Sequence, residues 1–246
     1  MLTIEALSAG YGKRNVLEGV SFTALDGRVS VLFGKNGAGK STLLRAIAEG
    51  HPYTGSILVD GWETSRLSSR ARARRLALLP QHLPSTDMTV LELCALGRYS
   101  LDPFAFRKTE EDREAVFRAL LRTGMTEYKN RPVSTLSGGE RQRAYLAMLL
   151  SGEANTLLFD EPTAALDPTS RWEILRLLGE LAREGKCILA VTHDLEGGLS
   201  VADDAVLLSR GRALFAGTRE ALLATDLLEE TFALRRFETE GRVFFG

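Results

Sequence analysis

A chain of 246 residues, 44% hydrophobic and 26% charged, has the composition of a folded globular protein with room for one large domain or two small ones. Its 31 basic and 32 acidic side chains leave a formal net charge of −1, which excludes a global attraction to nucleic acid or to an anionic membrane surface. No apolar run is long enough to span a bilayer, and Met1 to Glu5 lacks the basic start and apolar centre of a signal peptide, so the chain is expected in the cytosol.

From the amino end, Leu2 to Ala6 and Val20 to Leu25 read as strands, with a turn at Tyr11-Gly12 between them. Tyr11 is a candidate for stacking on a purine or for simple packing beside the turn. Val29-Ser30-Val31-Leu32-Phe33 is a short β-branched run, and it leads into Gly34-Lys35-Asn36-Gly37-Ala38-Gly39-Lys40-Ser41-Thr42. This spacing of glycines, lysine and hydroxyls reads as a phosphate cradle. The glycines let successive backbone N–H groups turn inward around a polyphosphate without a Cβ in the way. Lys40 supplies a point charge near the β and γ phosphates and Ser41 a hydroxyl for Mg²⁺, while a helix starting near Gly39 points its positive end at the same anion.

Thr54 to Gly61 reads as a strand closed by Asp-Gly, and Arg66, Arg70, Arg72, Arg74 and Arg75 as a solvated helix face, because no aromatics interleave them. Leu76 to Gln81 is an apolar strand ending in proline and a lone amide, followed by an irregular stretch from His82 to Met88. From Thr89 to about Ser151 the pattern is mainly helical, an insert with a charged segment at Thr109 to Leu121 and an amphipathic one at Glu140 to Leu150. Strand signals return at Thr156 to Phe159, Lys186 to Val191 and Ala205 to Leu208, with a helix over Ser170 to Arg183. Such alternation argues for an α/β fold with a parallel sheet covered on both faces. The tail from Arg235 to Phe245 reads as a small hairpin. Cys94 and Cys187 lie in apolar stretches and read as small buried hydrophobes of a reducing compartment.

Two more segments carry chemistry. Leu157-Leu158-Phe159-Asp160-Glu161-Pro162 is a buried-strand pattern that ends in two carboxylates, either a common strand exit or the partner of the phosphate cradle. In the second case Asp160 holds Mg²⁺ and Glu161 polarises the water that attacks the γ-phosphate. Leu136-Ser137-Gly138-Gly139-Glu140-Arg141-Gln142-Arg143 contains a capping box, Ser137 to Glu140, at a helix start. A capped helix start with exposed N–H groups is also an anion site. With a full cradle already present, a second site asks for a second nucleotide or a second subunit.

The ordered set Tyr11, Gly34 to Thr42, Gln81, Leu136 to Gln142, Leu157 to Pro162, Ala165-Leu166-Asp167 and His193 resembles the nucleotide-binding subunit of ATP-binding cassette (ABC) transporters. The resemblance covers nearly the whole chain. It implies a P-loop NTPase fold of one domain, 1–246, with a mainly parallel core sheet flanked by helices. Residues 1–85 and 155–225 would form the core and an N-terminal antiparallel β subdomain, 86–154 a helical subdomain, and 226–246 a short extension. It implies ATP and Mg²⁺ as cofactors and a head-to-tail homodimer that sandwiches two ATP molecules. Tyr11 would stack on adenine, Gly34, Asn36, Gly37, Ala38, Gly39, Lys40, Ser41 and Thr42 would hold the phosphates, and Ser41, Gln81 and Asp160 would serve the metal. Glu161, His193 and Lys40 would be catalytic, Ser137, Gly138, Gly139 and Glu140 would bind the partner's nucleotide, with Ser137 and Gly139 on its γ-phosphate, and Asp167 would couple the two sites. Two departures stand out. Ala164-Ala165 replaces the more usual serine-alanine, and Lys35 adds a charge to the loop; neither removes a catalytic group.

Within that family, Ala95-Leu96-Gly97-Arg98-Tyr99 followed by a charged helix resembles importers of metal chelates, which carry iron-siderophores, haem, cobalamin or molybdate. Partners would be a membrane permease and, indirectly, a substrate-binding protein, with no nucleic acid, and the subunit would lie peripherally on the cytoplasmic face of the membrane. The alternatives are an exporter subunit, a zinc or manganese importer, or a non-transport ABC ATPase acting on nucleic acid.

Overall fold

The computed structural model describes every residue except 13, 100–108, 165, 240–241 and 246. In chain order the elements are β1 (Leu2–Tyr11), β2 (Arg14–Ala24), β3 (Val29–Phe33), α1 (Lys40–Ala48), β4 (Tyr53–Val59), β5 (Trp62–Glu63), α2 (Ser69–Ala73) and β6 (Leu76–Leu79). Then come α3 (Val90–Tyr99), α4 (Glu110–Arg122), α5 (Gly138–Ser151), β7 (Thr156–Asp160), α6 (Pro168–Arg183), β8 (Cys187–Thr192) and α7 (Leu195–Val201). The chain ends with β9 (Asp204–Ser209), β10 (Arg212–Thr218), α8 (Arg219–Leu223), α9 (Leu227–Phe232), β11 (Arg236–Thr239) and β12 (Arg242–Phe245), the last two forming the expected hairpin.

Alternating side chains on the buried strands divide the core into two layers. The central sheet has the order β10-β9-β3-β8-β7-β6, parallel except for β10. Val29, Val31 and Phe33 of β3, Leu157 and Phe159 of β7, and Ile188 and Ala190 of β8 face helices α3 to α7. Their neighbours Leu32, Leu158, Leu189 and Val191 face α1 and a second, antiparallel sheet of order β2-β1-β4-β5. Each fully buried Leu, Val or Phe contributes about 1.5–3 kcal/mol, so these two layers fix where the strands end.

The first hairpin is longer than the sequence pattern suggested. The strands run from Leu2 to Tyr11 and from Arg14 to Ala24, not over Leu2 to Ala6 and Val20 to Leu25, and Tyr11 closes β1 instead of sitting in the turn. The cause is a break of register in both strands: Ala6 (φ 48°) and Gly19 (φ 64°) have left-handed backbones, and the pairing shifts between Ile4 and Leu7 and again between Leu7 and Ala9. Each shift changes the phase of the apolar alternation. The arginine segment is a short helix that Ser68 caps, with Arg75 lying over the Trp62 ring at 5.3 Å.

The helical stretch also shows what the Gly97-Arg98 pair is for. A Cβ at Gly97 would lie 2.1 Å from the Met148 carbonyl oxygen and 2.2 Å from the Ser151 hydroxyl, so only glycine lets α3 approach α5 this closely. Arg98, 11% exposed, then reaches Asp112 at 2.8 Å, the Ser151 carbonyl at 2.9 Å and Glu153 at 2.6 Å, which pins the start of α4 and the end of α5 together. Cys94 and Cys187 are buried, and burial pushes their thiols up to about 12 and about 11, as inert hydrophobes require.

Candidate functional site

The register of the central sheet brings four strand ends to one edge. Phe33 pairs with Thr192, Asp160 with Val191, and Leu79 with Phe159, so the loops after β3, β6, β7 and β8 open side by side. Those loops carry the glycine cradle, Gln81, Glu161 and His193, at the carboxyl ends where an open parallel sheet collects ligands.

The geometry of the cradle suits an anion. Gly39 caps α1 with φ 108° and offers no side chain to the helix start, which leaves the first-turn N–H groups to whatever binds there. A Cβ at Gly39 would lie 2.6 Å from the Leu17 Cδ2, so the antiparallel sheet packs directly against the loop. Lys40 is buried and its Nζ donates to the carbonyl oxygens of Gly34 (2.6 Å) and Lys35 (3.3 Å), which arch the loop over it. Gly34 is thus buried beneath the cradle and acts through its carbonyl. Burial lowers the Lys40 pKa, while Glu161 and Asp160 oppose the shift, so the ammonium sits in a partly dry pocket facing two carboxylates.

Residues 36–42 line an open cleft of 530 Å³ together with Tyr11, Gln81, Asp160, Glu161 and His193. Burial, then the neighbouring Glu161 charge, raise the Asp160 pKa, with Lys40, Arg45 and His82 pulling the other way. Glu161 is the unusual residue: its φ is +52°, a left-handed backbone that non-glycine residues adopt rarely. Its N–H donates to the Val191 carbonyl at 2.9 Å, and its Oε2 lies 2.8 Å from the His193 Nδ1. The carboxylate is 9% exposed and the imidazole 62%, so the pair forms the wall and the rim of the cleft.

The donors also suit a hard divalent cation. Carboxylate and hydroxyl oxygens from Asp160 and Ser41 face the cradle, whereas no group of three or more His, Cys, Asp or Glu that could hold a metal occurs among the described residues. Oxygen donors of this kind are what Mg²⁺ takes, its remaining positions filled by phosphate oxygens and water.

The remaining predicted residues lie outside this cleft. Ser137 is exposed and caps α5 in a reciprocal box: its N–H donates to Glu140 Oε2 at 2.8 Å and its hydroxyl accepts from the Glu140 N–H at 3.3 Å. The bond from the Ser137 N–H holds the Glu140 carboxyl below its ordinary range. Gly138 is exposed, and Gly139 lies close to Ser170. Asp167 caps α6 by accepting from the N–H groups of Thr169 (3.0 Å) and Ser170 (3.1 Å). Ala165 lies outside the described residues. One chain therefore presents two surfaces, the cleft at Lys40 and the capped helix start at Ser137.

Sequence reading missed two residues that line the cleft. Arg14 and Val16 line it, because β2 begins at Arg14 and pairs it with Tyr11. Once the hairpin is drawn to its full length, that pairing follows. The Tyr11 hydroxyl accepts from Arg45 at 3.1 Å and its ring meets the His51 ring at 4.7 Å, leaving Tyr11 48% exposed. Hydrogen bonds with Thr42 and Arg45 lower the phenol's pKa.

Residues 17–164 match the family model described as ABC transporter. The chain is similar to the ferric enterobactin transport ATP-binding protein FepC of Escherichia coli (strain K12), with 40% identity over 234 residues, 94% of this chain and 86% of that one. It is similar also to the iron(3+)-hydroxamate import ATP-binding protein FhuC of Bacillus subtilis (strain 168), with 36% identity over 237 residues, 95% and 88% of the two chains. Among solved structures, an ABC transporter assigned to the metal-chelate type, in an inward-facing conformation, matches with a TM-score of 0.84 and 25% identity over 99% of this chain and 95% of that one.

Proposed function

Because the chain belongs to the ABC transporter family as an ATP-binding subunit, we propose that it hydrolyses ATP to drive uptake of a metal chelate through a separate membrane permease. The observation that carries the chemistry is the single cleft in which a glycine cradle, a buried lysine and two carboxylates face one another. Of the chelate classes, iron-siderophore is favoured, since FepC and FhuC are both named for ferric chelates.

Tyr11 offers its exposed ring to adenine, and the backbone N–H groups of residues 36–42 with Lys40 hold the phosphates. To reach a phosphate, Lys40 exchanges its bonds to the Gly34 and Lys35 carbonyls for the stronger charge-assisted ones. Ser41 and Asp160 would hold Mg²⁺, with Gln81 at the same edge; bound there, the ion neutralises charge on the β and γ phosphates. Glu161 accepts a proton from water as its oxygen attacks the γ-phosphorus, and the bond to the β-γ bridging oxygen breaks to release ADP and phosphate. His193, anchored to Glu161, stands beside the attacking water and the γ-phosphate.

The exposed Ser137 helix start, set apart from the Lys40 cleft, supports a second copy of the chain as the partner that completes each site. In this reading residues 86–154 form the helical subdomain that carries Ser137, 1–85 and 155–225 the core, and 226–246 an extension. Among the described residues no helix is long and apolar enough to cross a membrane; the subunit would sit on the cytoplasmic face, held by the permease, with a substrate-binding protein delivering the chelate on the far side. The test replaces the native chain by Lys40→Ala in cells. Uptake of radiolabelled ferric siderophore should be lost while manganese and zinc uptake persist; unaffected ferric-siderophore uptake would overturn the assignment.

A further inference from the structure

Glu161 combines a strained backbone with a demanding position, and such conformations persist only where the surroundings hold them. On one side β8 does so, through the bond from the Glu161 N–H to Val191 and through His193. The next residue, Pro162, is buried and has no N–H, so its carbonyl oxygen is the one backbone polar handle that this residue offers. Gln142, in the second turn of α5, donates its side-chain N–H to that oxygen at 3.1 Å across 20 residues of sequence. A carbonyl only accepts, so the orientation of the Gln142 amide follows from the contact. The turn's internal bond, from the Ala164 N–H to the Glu161 carbonyl at 3.1 Å, closes the loop on itself without tying it to a neighbouring element.

We propose that Gln142 is a positioning residue for Glu161: its hydrogen bond to Pro162 fixes the left-handed turn that holds the carboxylate against the cleft. The inference rests on the reading of Glu161 as the group that takes the proton from water. It has a mechanical corollary. Helix α5 starts at Gly138, directly after Ser137, so the helix that presents the capped start on one surface also grips the loop of the chain's own Glu161.

The test compares Gln142→Ala and Gln142→Met, the second keeping length and packing while removing the donor. Both should lower kcat for ATP on the order of tenfold, since small misplacements of a reacting group are costly, with ATP affinity and Tm close to those of the wild type. In a Glu161→Gln background, followed by single-turnover hydrolysis, the same substitutions should cause little further loss, because there is no longer a base to position. ATP-driven dimerisation of the Gln142→Met/Glu161→Gln chain should be retained. Wild-type kcat in Gln142→Met, an equal fold-loss in both backgrounds, or failure of the double variant to dimerise would each overturn the proposal. Near-normal turnover by Glu161→Gln alone would instead remove the role of Glu161 on which it rests.

Discussion

Glu161, Lys40 and Asp160 share one small volume, and their charges answer to one another. Glu161→Gln keeps the shape of the side chain and its place against His193 but cannot take a proton, so hydrolysis should fall on the order of 10²-fold or more while ATP binding persists. A nucleotide titration beside a turnover assay separates this from Lys40→Ala, which should weaken binding itself, because it removes the buried cation proposed to hold the phosphates. Asp160 makes a pH prediction. Burial and Glu161 hold its carboxyl above the ordinary value of 3.8, so the folded, nucleotide-free chain binds this proton more tightly than the unfolded chain does. The resulting loss of stability is absent below the ordinary pKa and grows as pH rises to and through the folded value. Asp160→Asn should therefore raise the Tm of the nucleotide-free protein at pH 7 by on the order of a few degrees, and the gain should shrink as the pH falls toward 4. A gain that stays constant down to pH 4 would assign it to packing and not to the buried charge.

At the scale of elements, the stretch between β6 and α3 joins the nucleotide cleft to the helical layer. Gln81 lines the cleft, while the Tyr145 hydroxyl donates to the Pro84 carbonyl at 2.8 Å and the Ser134 hydroxyl to Asp87 at 3.0 Å. Ser85 is exposed between these anchors, so a bulky charged residue there should cut chelate uptake severalfold and leave basal ATPase within about twofold. Equal losses of both activities would show that the stretch serves the cleft and not a partner. Asp87 is a poorer probe, since it also holds Ser134. Elements such as β3, β7 and β8 were legible because strands buried on both faces are continuous apolar runs, and the glycine loop because its spacing is chemical. The capping box at Ser137 to Glu140 was legible for the same reason, a local hydrogen-bond pattern written in four residues. The full hairpin was not, because the shifts around Ala6 and Gly19 break the alternation that marks a strand. Nor could local pattern show Arg98 tying α4 to α5, or Gln142 reaching Pro162, because these bonds link residues far apart in the chain.

At the scale of the whole molecule, the capped start of α5 lies outside the cleft that holds Lys40, and each ATP site is proposed to form between two copies of the chain. Lys40→Ala and Ser137→Arg chains should then each be inactive as homodimers. Ser137→Arg also removes an N-cap, a cost of about 1 kcal/mol that leaves the fold in place. The most direct test mixes the two variants, with Glu161→Gln added to both to slow turnover, and follows mass by light scattering with and without ATP. In a mixed dimer the Ser137→Arg chain supplies an intact Lys40 loop and the Lys40→Ala chain an intact Ser137 segment, so one complete site is rebuilt while the other carries both lesions. A shared site predicts ATP-dependent dimers in the mixture that neither variant forms alone; a verified mixture that stays monomeric with ATP would contradict it.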